Sequence, residues 1–172
     1  LGSGASLCAM HGLQSVATTM GFSALDGLMM GTRCGAWDPG VLLYLMETEK
    51  LSPHQVGHML YHESGLYGVS GVSSDPRALL HIEKDNPRAY DALALYIHRI
   101  VREIGALTAV LGGLDLLVFT AGIGENNAEI RTRICKKLGF IGAILDDSAH
   151  QSGHNLISAS QSRVAIAIEA TN

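Results

Sequence analysis

The chain has 172 residues, 47% of them hydrophobic, so it can bury a core, and its length predicts one domain or one and a fraction. Only 16% are charged, 12 basic against 16 acidic; the formal net charge of −4 excludes a broad electrostatic grip on nucleic acid. Charges or glycines interrupt every apolar run before the roughly 18 residues needed to span a membrane.

Taken in chain order, "ASLCAM" and "QSVATTM" read as a β-hairpin or meander with His11-Gly12 as its turn signal. "SALDGLMMGTRCGAWDPG" is dense in glycine and proline and reads as a long loop with at most one helical turn. Asp38 is a candidate N-cap and Pro39 a first helical residue for "DPGVLLYLMETEK". "LSPHQVGHMLYHESG" repeats that grammar: Ser52 caps, Pro53 opens and Gly65 closes. "YGVSGVSSDPRALLHIEKD" reads as a glycine- and serine-rich loop leading into a short helix. Asn86-Pro87 opens the longest helix, which runs to Gly112-Gly113 with one apolar stripe from Ala89 to Leu111. "LDLLVFTA" is a continuous apolar run, the pattern of a central strand covered on both faces. "NNAEIRTRICKKLG" is the next helix, with an i,i+4 pair at Glu129 and Arg133, and "RVAIAIEA" a final strand. Alternating helices and strands imply a layered α/β sheet. Both ends read as cuts in a longer chain, since Leu1 enters a glycine-rich turn at once and Asn172 follows directly on a strand.

Several stretches could hold chemistry. In "FTAGIGEN" a buried strand delivers the backbone to Gly122 and Gly124, which keep no side chain between the main chain and a ligand; a helix N-terminus then adds partial positive charge. A plain strand–turn–helix junction explains the same residues. The stretch is neither G-x-G-x-x-G nor a P-loop. "LGSGAS" is a second glycine-rich turn, read between strands, either a phosphate approach or an ordinary tight turn. Arg33 sits in a glycine-dense loop, where a guanidinium either meets a transferring phosphoryl group or ties loop carbonyls together. Asp75 and Arg77 stand at a loop-to-helix junction, where Asp75 or Ser74 is also a natural cap. His54, His58 and His62 share a helical face without any H-E-x-x-H, so a polar face is preferred to a metal site. Cys8, Cys34 and Cys135 are far apart and odd in number, with no C-x-x-C, which predicts a reducing, cytoplasmic compartment.

The ordered set "LGSGASLCA", "TMGFSALDGLMMGTRCGAWDPG", "GVSGVSSDPR" and "FTAGIGENNAEIR" resembles the acetate kinase family, over essentially the whole chain. The resemblance implies an α/β fold: an actin-like, ribonuclease H-like domain of the sugar-kinase/Hsp70/actin superfamily, with a mixed sheet flanked by helices. It implies that residues 1–172 are the C-terminal nucleotide-binding domain of a two-domain kinase whose N-terminal domain lies outside them and whose C-terminus is cut. The implied reaction moves the γ-phosphoryl of ATP reversibly to acetate or propionate, with Mg²⁺, in a cytoplasmic homodimer without nucleic-acid or membrane partners.

By the same resemblance Arg33 stabilises the transition state. Leu1, Gly2, Ser3 and Gly4 match a hairpin that approaches phosphate. Asp75, Pro76 and Arg77 match a nucleotide-contacting stretch, and Gly122, Ile123, Gly124, Glu125 and Asn126 match the adenosine-side loop. Ser3 stands where the family usually has asparagine. The family continues beyond Thr171-Asn172 with two acidic residues, one tied to magnesium, so no metal ligand is assigned within this chain. A non-catalytic actin-like nucleotide-binding module or an inactive fragment is the alternative. A dinucleotide-dependent oxidoreductase fails on the missing third glycine and the missing acid about 20 residues later.

Overall fold

A computed structural model describes residues 1–171; Asn172, which closes the "ATN" stretch, lies outside the described residues. The elements run β1 (Cys8–His11), β2 (Gln14–Thr18), α1 (Pro39–Glu47), α2 (Pro53–His62), α3 (Gly65–Ser70), α4 (Pro76–Ile82) and α5 (Pro87–Leu111). After these come β3 (Leu116–Phe119), α6 (Ala121–Asn126), α7 (Ala128–Lys137), a 3₁₀ turn (Gly139–Ile141), α8 (Asp147–Gln151) and β4 (Ala165–Ile168). No helix among the described residues is long and apolar enough to cross a membrane.

Two compact units form. One holds Leu1–Ser3, Cys8–Ala17 and the residues from Ile100 onward; the other holds Gly4–Leu7 and Thr18–Arg99.

In the unit that ends the chain, β3 and β4 pair in parallel with Leu116 opposite Ala165 and Phe119 opposite Ile168. Leu156 bridges Ala167 in the antiparallel sense, so β4 has one neighbour of each direction and the sheet is mixed. Burial along β3 alternates: Leu117 and Phe119 are buried while Leu116 and Val118 are exposed. The expectation of a strand covered on both faces is therefore corrected for this chain; an all-apolar run of four residues cannot tell one covered face from two. Ile130, Ile134, Leu138, Ile157 and Ile166 are fully buried and supply the core of this unit.

In the other unit the helix starts follow their caps. Asp38 accepts from Gly40 N, Ser52 and Gln55 form a reciprocal capping box, and Asp75 accepts from Arg77 N, each cap followed by proline. Gly65 does not close α2, which ends with Glu63 as its C-cap; it opens α3 at φ +64°. A β-carbon there would collide with the Met30 carbonyl oxygen, so only glycine admits this approach. The predicted glycine–serine loop thus contains a helix. Cys34, Val56 and Leu60 form a buried cluster against which Leu42, Leu45 and Met46 of α1 pack.

Candidate functional site

Arg33 belongs to a loop clamped at several points. Met30 N donates to the Arg33 carbonyl (3.1 Å), Cys34 N to Leu60 O (3.2 Å) and Ser64 N to Thr32 O (2.9 Å). The neighbouring Cys34 is buried in the α1–α2 cluster, where burial pushes its thiol pKa up and keeps it inert. The backbone under Arg33 is therefore fixed while its side chain is only half-buried. Its Nη1 donates to Ala24 O at 2.9 Å, and among the described residues it has no carboxylate partner. Nη2 lies 2.7 Å from the position a β-carbon on residue 4 would take. Gly4 and Arg33, both singled out from the sequence, are brought together. An arginine that spends one donor on a carbonyl retains others for an anion.

Asp75, Pro76 and Arg77 stand at the start of α4, whose approach is ordered by a buried serine. Ser70 Oγ accepts from Val72 N and Ser73 N, both at 3.2 Å, and Ser73 Oγ accepts from Asp75 N at 3.1 Å. Asp75 caps the helix and also receives Arg77 Nη2 at 2.9 Å, which holds its carboxyl below the usual carboxylate range. Three-quarters of the Arg77 side chain is exposed, so solvent screens this pair and Arg77 can leave it at little cost. No hydrogen bond joins this stretch to Arg33 or Gly4 among the described residues.

In the other unit, "AGIGEN" is itself the helix α6 and not a glycine loop. Positive φ occurs at Ala121, at +62°, and not at Gly122 or Gly124. Leu1 explains why so short a helix forms. Its carbonyl accepts from Ile123 N (2.8 Å) and Gly124 N (2.9 Å), and its nitrogen donates to Thr120 O (2.8 Å). Two of the first-turn N–H groups of α6 are thus taken by the protein. β1 begins at Cys8, so residues 5–7 separate "LGSG" from that strand. Ser3 is exposed, and Gly2 half-buried.

Within α6 the side chains divide by task. Glu125 accepts from Thr171 N (2.9 Å) and Thr171 Oγ1 (2.8 Å); these bonds hold its carboxyl below the ordinary range and tie down the chain after β4. Asn126 Nδ2 donates back to Gly122 O at 3.0 Å. Gly122 is exposed, lacks positive φ, and nothing lies within 4 Å of where its β-carbon would be. Neither backbone strain nor internal packing requires glycine at this position.

One contributor was missed from the sequence. Arg131 of α7 is buried, and its Nη1 donates to both Gly124 O and Glu125 O at 2.8 Å, closing the C-terminal end of α6. Its Nε donates to Nε2 of buried His150 on α8 at 3.1 Å. The signal was available: Ile130, Arg131, Ile134 and Cys135 form one i, i+1, i+4, i+5 stripe, which places the arginine on the inward face.

Among the described residues no three His, Cys, Asp or Glu side chains are grouped to hold a metal. His58 lies 3.5 Å from the Glu63 carboxylate and 5.0 Å, ring to ring, from His62.

The chain resembles known proteins along its whole length. The chain is 54% identical over 166 residues to an acetate kinase of Rhodopseudomonas palustris, covering 95% of this chain and 41% of that one. It is 51% identical over 172 residues to an acetate kinase of Rickettsia felis, covering 100% of this chain and 44% of the relative. Among solved structures, a Porphyromonas gingivalis acetate kinase superposes with a TM-score of 0.94 at 38% identity, over 100% of this chain and 44% of that one. A Francisella tularensis propionate kinase does so with a TM-score of 0.94 at 35% identity, over 100% and 44%. The chain therefore spans less than half the length of the relatives it matches, and its α/β architecture is theirs. The profile described as the Acetokinase family matches residues 1–172, and the chain belongs to that family.

Proposed function

We propose that the protein carrying these residues is an acetate kinase-type phosphotransferase, moving the γ-phosphoryl of ATP reversibly to a short carboxylate, acetate or propionate. The observation that supports this most is the family match over residues 1–172, together with identities near 50% to acetate kinases. On this reading the segment is the C-terminal nucleotide-binding domain of a two-domain enzyme that works as a cytoplasmic homodimer. The three free cysteines fit a reducing compartment.

The family resemblance implies the residue roles, and the local chemistry supports them. Phosphoryl transfer is dominated by positioning and charge neutralisation. Arg33, with its backbone clamped and donors to spare, is placed to neutralise the equatorial phosphoryl oxygens. Gly4 leaves room for that guanidinium, and Leu1, Gly2 and Ser3 bring bare backbone towards the phosphates. Asp75, Pro76 and Arg77 present one cheaply released guanidinium to the nucleotide. Gly122–Asn126 seats the adenosine side: the open space over Gly122 admits a base or ribose, which accounts for a glycine that the fold does not need. Mg²⁺, when bound, supplies positive charge across the phosphates; the resemblance puts its protein ligand beyond Asn172, and the described residues do not themselves form a metal site.

The test is direct. The full-length protein, incubated with ATP, Mg²⁺ and either acetate or propionate, is expected to form the acyl phosphate, trapped as its hydroxamate. Nucleotide binding without acyl phosphate from either acid would favour a non-catalytic module instead.

A further inference from the structure

α6 has six residues, two of them glycine, and could not persist as an isolated helix. Three external partners hold it: the Leu1 carbonyl at its start, Thr171 on Glu125, and Arg131 on its last carbonyls. The third is unusual in kind. Among the described residues Arg131 is buried without any carboxylate partner; its charge faces the negative end of a short helix and one histidine. A buried guanidinium in that position depends on every acceptor it has.

His150 is the acceptor that can be switched off. It receives the Arg131 Nε–H through Nε2, so it must be neutral with its proton on Nδ1. Protonation would convert the acceptor into a second donor and set two cations 3.1 Å apart. The other groups around the pair are few. Cys135, on α7 beside Arg131, is a buried thiol whose pKa is pushed up to about 12, so it offers no negative charge. Asp147, on α8 itself, favours the protonated imidazole, and Asp146 is engaged as the α8 cap, accepting from Ala149 N. Burial first, then Arg131, depresses the His150 pKa below its usual 6.5.

We propose that Arg131, aligned by neutral His150, is the positioning residue of the Gly122–Asn126 seat, and that protonating His150 loosens nucleotide binding there. This rests on the nucleotide-seat reading given above. The sign follows from the geometry: the bond from Arg131 needs an unprotonated Nε2, so proton uptake by His150 competes with the aligned seat, and nucleotide affinity is full where His150 is neutral and falls as pH drops through its depressed pKa.

The experiment measures ADP affinity of the full-length protein by calorimetry from pH 8 to pH 5.5, for wild type, Arg131→Met, Arg131→Lys and His150→Gln. The glutamine carbonyl can accept from Arg131 but does not titrate. At pH 8, Arg131→Met is expected to weaken ADP about tenfold or more, the size of a lost charge-assisted hydrogen bond, and Arg131→Lys to recover part of it. Wild type is expected to lose affinity on acidification more steeply than His150→Gln. The phosphates of ADP titrate in the same range in both proteins, so the difference between the two profiles is the reading. Parallel profiles for wild type and His150→Gln, or wild-type affinity in Arg131→Met, would overturn the inference. Should Arg131→Met not fold, Arg131→Lys and His150→Gln decide the matter. Failure of the wild type to bind ADP at pH 8 would instead overturn the seat itself.

Discussion

Gly4 and Arg33 are a matched pair: the Arg33 Nη2 stands 2.7 Å from where a β-carbon of residue 4 would lie. The glycine keeps that space for the guanidinium, and no positive φ is involved. Gly4→Ala should therefore push a flexible arginine head aside without disturbing backbone. Stability is expected to change by less than about 1 kcal/mol. The kcat is expected to fall roughly a hundredfold, the cost of displacing a catalytic group by about 1 Å. Steady-state kinetics alongside urea unfolding checks both. Unchanged kcat would mean that the Arg33 head group is not where catalysis needs it.

Gly122 makes the opposite case, because nothing inside the protein approaches it. Alanine is favoured over glycine in a helix by about 1 kcal/mol, so Gly122→Ala should leave the fold as stable as before or slightly more so. Its methyl group would project into the space assigned to the nucleotide. ATP affinity is expected to drop about tenfold or more, a steric analogue of overpacking at 1–3 kcal/mol. Equal affinity in the variant, measured by equilibrium titration, would remove Gly122 from the seat.

Tyr96 lies in the first half of α5, almost wholly buried, with no hydrogen-bond partner for its hydroxyl among the described residues. Burial drives its pKa well above 10, so the phenol stays protonated at any working pH. An unpaired buried hydroxyl costs about 1–3 kcal/mol. Tyr96→Phe in the full-length protein should thus be neutral or stabilising by up to that amount in chemical denaturation. A loss of more than about 1 kcal/mol would reveal a partner for the hydroxyl elsewhere in the longer chain.

The helices that begin with a cap and a proline were legible in advance. Asp38-Pro39, Ser52-Pro53 and Asp75-Pro76 each start a helix as predicted, because capping is a local event between residues two or three apart. The β1–β2 hairpin and β4 were equally plain. What stayed hidden depends on distant partners. α3 and α6 contain glycines that argue against helix, and each forms because remote backbone stabilises it: Met30 and Gly31 carbonyls accept from Leu66 and Tyr67, and Leu1 closes the start of α6. Of the candidate site, Arg33, Asp75 and Gly122 were recognisable as residues. Arg131 was not, because arginine is read as a surface residue unless its helical stripe is counted.

Arg33, with its clamped backbone and spare donors, is the residue on which the proposed phosphoryl transfer most depends. The measurement that tests it most directly is the split between kcat and the ATP KM in Arg33→Ala of the full-length protein. An arginine that neutralises charge mainly in the transition state predicts a kcat lower by about 10³-fold or more, with KM for ATP within a few-fold. Near-normal kcat, or a defect confined to KM, would contradict it.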